Sequence, residues 1–577
     1  MICSRITERR RTFRRVLVSA ALFCLLAFFC IGTALAAGEP EFWISPDGTL
    51  TPDAITCSKA EDGKYYLMLP AAVDPENLCF GVADGVKFTF RNKTIQTGDS
   101  ARELKEGDFS VKVNKKGFTM HVMIGSPGLP AVFVTTESGS LKQIESSKAN
   151  REPGQLVFVG PEGDVQYSGG LEHIKARGNS SMTFAKKNYQ IKLEKGADLM
   201  GMGKAKKWIL TGNYRDKSHL RNRIMMDLAD AIGLPYTVKN TPAELYINHE
   251  YRGLYLLSEK IEIDDDRINI ADLEKATKEI NDKSLSEYKL IGKRKATKGS
   301  FKAYDIPANP EDITGGYLVE YESYTSRYRD EASAYTTKRG SVLVVKSPEY
   351  ASREQMTYIS GLMQSFENAI KAGDGTDPET GKHYTEIADA ESLALKYMIE
   401  EISENYDGNS SSQYFFKPAD SVSEKFFSGP VWDYDSTFGA YAQPRNAKKV
   451  TNPAFLWIAE GDKNAWYPML WTHQDFRTLV DTLWNERVRT GVEVLLGNKT
   501  AEEAGIGSGK LRSIDEYADA IRKSVKMDRI RWPRKSKPSA DSAAWTGASF
   551  EENVKYLKDY LQKRRDFLDE AWGANAP

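Results

Sequence analysis

The sequence predicts an α+β protein in which strands dominate the first part of the chain and helices dominate the last. Short apolar runs bounded by turn residues, such as Tyr65–Leu69, predict strands before residue 128. Strand and helix patterns then alternate, and the longest helical patterns, Gln474–Leu496 and Phe550–Trp572, come near the end. These observations predict a small β-sandwich-like module, a mixed core and a helical C-terminal part.

Length and composition are those of an ordinary folded protein with room for two or three domains. The chain has 577 residues, of which 41% are hydrophobic and 28% are charged. We expect four segments, namely a leader at 1–36, a β-rich accessory domain at 37–128, a core at 129–445 and a helical part at 446–577.

The leader has the three parts of a secretory signal peptide. Six arginines between positions 5 and 15 precede an apolar run, Val16–Ile31, and then the small-residue sequence Ala34-Leu35-Ala36. An uncleaved anchor is the alternative, but the run is shorter than the ~20 residues of a spanning helix. The sequence therefore predicts a secreted or extracytoplasmic protein of the cell envelope or periplasm, with no membrane span after cleavage.

The net charge restricts the classes of binding partner, and the cysteine content bears on disulfide formation. Removing six Arg and one Glu from a chain with 79 basic and 80 acidic residues leaves a net charge near −6. This balance does not support binding to nucleic acid or to a membrane surface. Two cysteines remain, Cys57 and Cys79, and export allows either a disulfide between them or two buried thiols.

Several common active sites are excluded by the absence of their motifs. The six histidines form no HExxH or HxH pattern, and no G-x-S-x-G elbow is present. The glycine-rich stretch 505–510 lacks the first glycine of a phosphate-binding loop, and Leu511 follows its lysine. A zinc hydrolase, an α/β-hydrolase and a P-loop enzyme are therefore not predicted.

The core alternates predicted strands with three amphipathic helices. The first helix spans Lys217–Ile232, with Asp216 or Ser218 as its N-cap, and the others span Arg353–Ala372 and Ala390–Asn405. The predicted strands are Ala131–Thr135, Gln155–Val159, Tyr189–Leu193, Ala243–Ile247 and Leu254–Leu257.

The first chemical feature is a polar glycine-containing loop, Arg177–Ser181, followed by a strand that carries Lys192. Backbone N–H groups and serine hydroxyls of such a loop can approach phosphate oxygens, and a positioned ammonium neutralises them. Strand lysines are also common on solvated faces, so this feature alone is weak.

The second feature is Asp407, which follows a helix and precedes Gln413 at the start of an aromatic strand. An aspartate in this position can be a simple turn former. Followed by an amide side chain, it can instead accept the proton of a substrate hydroxyl while the amide oxygen binds Mg²⁺.

The third feature is Trp432–Gly439, which contains Asp433 and Asp435. Two carboxylates beside an apolar strand are costly to bury without a partner, and a divalent cation is the favoured one. Asp407 precedes Asp433 by 26 residues, and a predicted hairpin, Tyr414–Lys417 to Phe426–Val431, lies between them. The order lysine, aspartate, metal-binding aspartate is that of protein kinases.

Together with these features, further motifs resemble the CotH (spore coat protein H) kinase family over roughly residues 129–572. They are Lys187–Lys192, Trp208–Leu210, Asp216, Leu220–Asn222, Tyr246–Asn248, Tyr251–Tyr255, Glu259, Gly315–Leu318, Lys346–Glu349, Trp432–Asp435, Arg531-Trp532 and Arg564-Arg565.

The resemblance implies an atypical protein-kinase-like fold. It also implies Mg²⁺- (or Mn²⁺-) dependent transfer of the ATP γ-phosphate to Ser or Thr of an exported or cell-envelope protein. Carried over by position, Asp407 is the catalytic aspartate, Asp433 is a metal ligand, and Asp435 is a second ligand or the group that orients the first. Gln413 would add its amide oxygen to the metal. Nucleotide contacts fall to Arg177, Asn179, Ser180, Lys192 and Glu259. For Glu259 the role would be to orient Lys192, as a helix-borne Glu does in kinases, although no spacing in the sequence supports it.

One departure bears on activity. Gln413 stands where the family resemblance leads us to expect Asn, and its extra methylene alters metal geometry unless Asn409 substitutes. The alternative function is therefore a catalytically degenerate surface or envelope protein that binds or assembles. Glycan hydrolysis by Asp433 or Asp435 with Glu259 is a third hypothesis.

Overall fold

The computed structural model describes residues 40–440, 451–463, 465–507, 509–533 and 549–573. The predicted leader, the boundary at 445/446 and the predicted loop Arg534–Ala544 lie outside the described residues. Within the described part of the chain, no helix combines the length and the apolar character needed to cross a bilayer.

The N-terminal module consists of two β-sheets that share one apolar core. Phe42 of one sheet stacks on Phe88 of the other, with ring centroids 4.2 Å apart. The sheet orders are β2-β1-β5 and β3-β4-β9-β8-β6-β7. The strands are β1 (Phe42–Ser45), β2 (Ile55–Thr56), β3 (Ser58–Lys59), β4 (Tyr65–Leu69), β5 (Cys79–Val82), β6 (Phe88–Phe90), β7 (Lys93–Ile95), β8 (Gly107–Val113) and β9 (Lys116–Ile124).

The cysteines of this module are not bonded to each other. Cys57 and Cys79 are both free thiols, so the disulfide considered from the sequence is not formed. The apolar core of the module also includes Phe133 and Tyr246 of the next unit, so apolar packing joins the module to the rest of the protein.

A closed seven-stranded barrel follows, in the order β10-β11-β12-β13-β14-β16-β15. Its interior is filled by alternate apolar side chains such as Ile191 and Trp208, which are fully buried. Each of the five predicted core strands lies in it. They are β10 (Ala131–Thr136), β11 (Glu152–Val159), β13 (Asn188–Asp198), β15 (Asn240–Ile247) and β16 (Glu250–Glu259), with β12 (Val165–Arg177) and β14 (Lys204–Thr211) completing the barrel.

Two helices interrupt the barrel strands, α1 (Lys142–Ser146) and α2 (Arg221–Ala231). Helix α2 begins four residues later than predicted from Lys217. The Asp216 carboxylate accepts hydrogen bonds from the backbone N–H groups of Ser218 and Arg221, and His219 has a φ of 58°. This turn precedes the helix and carries Asp216 and Ser218 outside it.

The second half is built on a seven-stranded sheet in the order β17-β18-β20-β21-β19-β22-β23. Its strands are β17 (Leu290–Gly292), β18 (Ser300–Tyr304), β19 (Tyr317–Tyr321), β20 (Ser333–Thr336), β21 (Val342–Ser347), β22 (Gln413–Lys417) and β23 (Phe427–Ser428). The accompanying helices are α3 (Leu273–Glu279), α4 (Thr325–Asp330), α5 (Arg353–Lys371), α6 (Tyr384–Ile387) and α7 (Ala390–Ser403). Strands β22 and β23 pair antiparallel, which confirms the predicted hairpin.

The C-terminal helices pack on this sheet and on the barrel. Trp572 lies in the same apolar core as Phe366 and Tyr397 of the second half. Asp528 pairs with Lys186 of the barrel at 2.5 Å, with both side chains fully buried. The helices are α8 (Trp466–Leu470), α9 (Gln474–Leu483), α10 (Arg489–Leu496), α11 (Ile514–Asp519), α12 (Arg522–Arg531) and α13 (Phe550–Trp572), and a π-turn at Trp484–Val488 joins α9 to α10.

The predicted α+β class and the helical C-terminal part are confirmed by these elements. The protein-kinase-like character of the core stays a prediction.

Candidate functional site

Three aspartates from two loops influence one another's protonation. Asp407 lies in the loop between α7 and β22, and Asp433 and Asp435 follow β23. Burial raises the pKa of Asp407 to about 6, and the negative charge of Asp435 adds to this rise. Burial, Asp435 and Asp407 likewise raise the pKa of Asp433. The two sequence-predicted carboxylate features therefore meet in one place.

Asp433 occupies an unusual position on the wall of this site. Its φ is 69°, a left-handed conformation that is uncommon for residues other than glycine. The residue is exposed, whereas the next residue, Tyr434, is fully buried. Burial among surrounding protein groups is nevertheless the largest cause of the raised pKa of the Asp433 carboxylate. Backbone strain of this kind is concentrated at functional sites.

Two arginines face the carboxylates. The guanidinium of Arg177, at the end of β12, lies over the ring of Trp432, 5.2 Å from its centroid. Its positive charge opposes the rise in the pKa of Asp433. Arg215, in the loop between β14 and α2, acts in the same sense on the pKa of Asp407, Asp433 and Asp435.

Sequence reasoning missed Arg215. The only signal in the sequence was its place directly before Asp216, one of the residues that carry the family resemblance. The guanidinium of Arg215 also lies over the ring of Phe184, 5.1 Å from its centroid, in the segment between β12 and β13.

Helix α2 holds the segment that carries Asp433 and Asp435. The Asn222 side-chain oxygen accepts a hydrogen bond from the backbone N–H of Tyr434 at 2.7 Å. Arg221 donates from Nε to the carbonyl of Thr437 at 3.1 Å, and its Nη1 pairs with Asp216 at 2.5 Å. Asn222 and Arg221, the latter paired with Asp216, therefore fix the backbone of the acidic segment to the start of helix α2.

Helix α7 holds the same segment from the other side through Glu400. The Tyr434 hydroxyl donates to Glu400 Oε1 at 2.5 Å, and the Asn405 amide donates to Glu400 Oε2 at 2.6 Å. Asn405 in turn accepts from the backbone N–H of Asp407 at 3.1 Å. Lys396, also fully buried, forms an ion pair with Glu400 and supplies the opposite charge.

The sequence matches the protein-family model described as CotH kinase protein over residues 174–568, which is more than half of the chain. The chain belongs to the CotH kinase family. No curated protein matches it. The matched range begins within β12, just before Arg177, and contains all three aspartates together with Arg215 and Glu400.

Membership in the CotH kinase family supports a kinase-like function at the level of the family, and it implies ATP as a partner. The N-terminal module lies outside the matched residues. The match also leaves out β10, β11 and most of β12, so the family-level function rests on the barrel strands from the end of β12, the second sheet and the helices up to α13.

Gln413 departs from the expected geometry of a CotH metal ligand. Its amide oxygen accepts a hydrogen bond from Lys396 Nζ at 2.9 Å, and its amide nitrogen donates to the carbonyl of Ser411 at 3.3 Å. The oxygen is therefore engaged in the buried Lys396–Glu400 cluster. Asn409, the possible substitute, donates its amide to the carbonyl of Ile458 at 2.8 Å.

Lys192 and Glu259 do not form the pair expected from kinases. Lys192 pairs with Glu172 at 2.5 Å on the outer face of the barrel. Glu259 is buried, accepts from Arg267 at 2.9 Å and also accepts from the backbone N–H of Lys239. Burial raises the pKa of Glu259 to about 7. The expectation that Glu259 orients Lys192 is wrong because each side chain has a nearer partner of opposite charge.

Asn179 and Ser180 lie just beyond Arg177, in a short loop whose preceding Gly178 has a φ of 101°. Both residues are exposed. The Asn179 oxygen accepts from Lys148 at 3.2 Å, and Ser180 begins a 3₁₀ turn that ends at Thr183. Their side chains are thus accessible near the Arg177 end of the acidic site.

Among the described residues, no group of three or more His, Cys, Asp and Glu side chains could hold a metal by itself. Mg²⁺ in kinase sites takes one or two carboxylates and completes its shell with substrate phosphates and water. Burial, and after it the negative charges of Asp435 and Asp407, raise the pKa of Asp433, and a bound cation would offset both effects. The Asp433–Asp435 pair therefore fits a cation shared with a nucleotide.

Proposed function

We propose that this CotH-family protein is an exported protein kinase that transfers the ATP γ-phosphate to Ser or Thr of an extracytoplasmic or cell-envelope protein. The observation that carries the proposal is the convergence of Asp407, Asp433 and Asp435 with Arg177 and Arg215. Phosphoryl transfer needs a carboxylate to accept the hydroxyl proton, carboxylates to hold the cation and positive side chains to neutralise the phosphates. These groups must all lie close to one another.

Asp407 is the group proposed to accept the proton of the substrate hydroxyl. The hydroxyl oxygen forms a bond to the γ-phosphorus while the bond from that phosphorus to the β–γ bridging oxygen breaks, and ADP leaves. With its pKa raised to about 6, Asp407 is mostly ionised at pH 7 and still basic enough to take a proton.

Asp433 and Asp435 are the residues proposed to hold Mg²⁺ or Mn²⁺, which would neutralise phosphate charge when bound. Arg177 and Arg215 compensate the remaining negative charge, and the Asn179–Ser180 loop lies next to Arg177. Lys192 would have to break its ion pair with Glu172 before it could bind a nucleotide phosphate. We leave Glu259 out of the nucleotide site because it pairs with Arg267.

Export is proposed from the arginine-rich and apolar leader at residues 1–36. The N-terminal sandwich-like module is proposed as an accessory unit, since it contributes none of the five charged residues of the site.

A catalytically inactive binding or assembly protein is the second candidate, and Gln413 is the observation that favours it. Its amide oxygen is engaged by Lys396 rather than free for a cation. An inactive protein of this kind would keep the fold while lacking one metal ligand.

Phosphotransfer separates the two candidates. Purified mature protein is incubated with γ-labelled ATP, Mg²⁺ or Mn²⁺, and periplasmic or secreted extract. We expect labelled protein with the wild type and with Asp566→Ala, an exposed change on α13, and no label with Asp407→Ala or Asp433→Ala. The absence of both label and any thermal shift with nucleotide and metal would reject the kinase and favour the binding protein.

A further inference from the structure

A large cavity opens beside the loop that carries Asp407. Its volume is about 830 Å³, within the range of ligand-binding pockets. We call it the side pocket, and its lining includes Lys298, Arg339, Tyr406, Asn409, Ser410 and Trp457.

The side pocket is distinct from the acidic site but shares a wall with it. Among the described residues that line it, none is Asp407, Asp433, Asp435, Arg177 or Arg215. Tyr406, Asn409 and Ser410 nevertheless flank Asp407 on both sides in sequence. The backbone N–H of Ser410 donates to the carbonyl of Asp407 at 2.7 Å. A molecule in the side pocket would therefore lie against the loop that presents the proposed base.

The rim of the side pocket carries an excess of positive charge. Of the described residues that line it, three are basic, Lys298, Lys338 and Arg339, and one is acidic, Asp462. Lys338 pairs with Glu379 at 2.5 Å. For Lys298 and Arg339, both exposed, the described part of the chain shows no ion pair. These two cations are thus available to an anionic ligand.

The floor of the side pocket suits a peptide. The rings of Tyr406 and Trp457 are nearly parallel, with centroids 6.1 Å apart, and Trp457 is fixed by donating from Nε1 to the carbonyl of Asn405 at 3.0 Å. Aromatic rings of this kind offer a peptide a large apolar contact surface, and here they lie beside the two cations.

We propose that the side pocket docks an acidic segment of the protein substrate next to the Ser or Thr that enters the Asp407 site. Lys298 and Arg339 contact its carboxylates, and the rings of Tyr406 and Trp457 pack against its chain. The inference rests on the proposed kinase function, and it adds the substrate class, a hydroxyl residue with acidic neighbours.

The test uses two fluorescein-labelled peptides of equal length with a single Ser, flanked in one by Glu and in the other by Lys. Binding to the full mature protein is measured by fluorescence anisotropy without nucleotide. We expect the Glu peptide to bind at least about 10-fold more tightly than the Lys peptide, and less tightly at high salt. Lys298→Glu with Arg339→Glu should abolish that preference, whereas Lys526→Glu, an exposed change on α12, should keep it.

Equal affinity for the two peptides in the wild type, or an unchanged preference in the charge-reversed protein, would overturn the docking inference. If the double variant does not fold, Arg339→Gln alone should weaken Glu-peptide binding about 3-fold. A second measurement adds γ-labelled ATP and metal. Transfer to both peptides at equal rates overturns the docking inference alone, and charge-dependent binding without any transfer overturns the kinase proposal alone.

Discussion

The hydroxyl of Tyr434 donates a 2.5 Å hydrogen bond to the buried carboxylate of Glu400. Tyr434 lies between Asp433 and Asp435 in sequence, and Glu400 also binds Asn405, which accepts from the backbone of Asp407. One carboxylate on α7 therefore anchors both loops of the acidic site. Since Glu400 touches none of the proposed reactants, it is a positioning residue.

Removing the Tyr434 hydroxyl tests this anchor. We expect Tyr434→Phe to lower kcat about 10-fold, because the Asp433–Asp435 segment loses one of its fixed points, as happens when outer hydrogen bonds of metal ligands are removed. The matched control is Tyr384→Phe, which removes a hydroxyl bound to Asp475 at 2.7 Å on another helix. Steady-state phosphotransfer measures both. Equal rates for Tyr434→Phe and the control would contradict a positioning role.

Neutralising Asp433 should stabilise the metal-free protein. Asparagine tolerates the left-handed backbone as aspartate does. Asp433→Asn therefore removes the cost of burying this carboxylate, and its repulsion from Asp435 and Asp407, without new strain. We expect the melting temperature at pH 7.5 to rise by about 1–3 °C in the presence of chelator. The stabilisation of the wild type by Mg²⁺ with ATP should be lost in this variant and retained in Asp566→Asn. A lower melting temperature in chelator would argue against the repulsive cluster.

The pH dependence of phosphotransfer reports on Asp407. Burial and Asp435 raise its pKa to about 6, while Ser410 and Arg215 oppose the rise. Only the ionised carboxylate can accept the hydroxyl proton, so kcat/KM should increase about tenfold per pH unit below pH 6 and level off above it. Initial rates between pH 5 and 8, with the fold monitored by circular dichroism, measure this. A flat profile over that range would assign the base elsewhere.

Arg215 should shift that profile. Its positive charge lowers the pKa of all three aspartates, so Arg215→Ala should move the acidic limb upward by about 0.5–1 pH unit. The Michaelis constant for ATP should also rise about 10-fold, since one phosphate-facing charge is lost. Arg223→Ala is the control, because Arg223 pairs with Asp227 on the same helix instead. An unshifted acidic limb in Arg215→Ala would remove Arg215 from the site.

Glu244 gives a prediction for stability that does not depend on catalysis. It is fully buried beside Ser524 of α12, and burial raises its pKa from 4.5 to about 7. The folded state therefore binds the proton more tightly than the unfolded state, and the stability that this proton provides is lost as pH rises from about 4.5 through 7.

We expect Glu244→Gln to reduce the loss of unfolding free energy between pH 5 and pH 8 by about 2–3 kcal/mol relative to the wild type. Urea denaturation at the two pH values measures the difference, and Glu106→Gln, an exposed change in the N-terminal module, is the control. Parallel pH dependences for the wild type and Glu244→Gln would show that Glu244 does not titrate in this window.

The sequence predicted the elements whose signals are local. Helix Phe550–Trp572 and strand Tyr65–Leu69 have the predicted ends. All five core strands were placed correctly, although each extends further than its apolar centre indicated. Helix α2 was predicted to start too early, because hydrophobic spacing cannot show that the Asp216 carboxylate binds the backbone of Arg221.

The functional residues also fall into two groups, those that the sequence identified and those whose partners only the folded protein shows. Asp407, Asp433 and Asp435 were identified by their order along the chain and by the hairpin between them, which are properties of the sequence. The partners of Lys192, Glu259 and Gln413 were not, because each is chosen by the nearest opposite charge or hydrogen-bond donor in the folded protein. The motif set also identified the CotH family without any tertiary information.

By itself, then, the sequence determined the family, the location of the main strands and helices, and the linear order of the three aspartates. Tertiary structure alone decided that Arg215 faces those aspartates, that Glu400 joins their two loops and that Gln413 is turned toward Lys396. The physical reason is that charge interactions and buried hydrogen bonds depend on distance in space, and these residues come from loops and helices that only folding brings together.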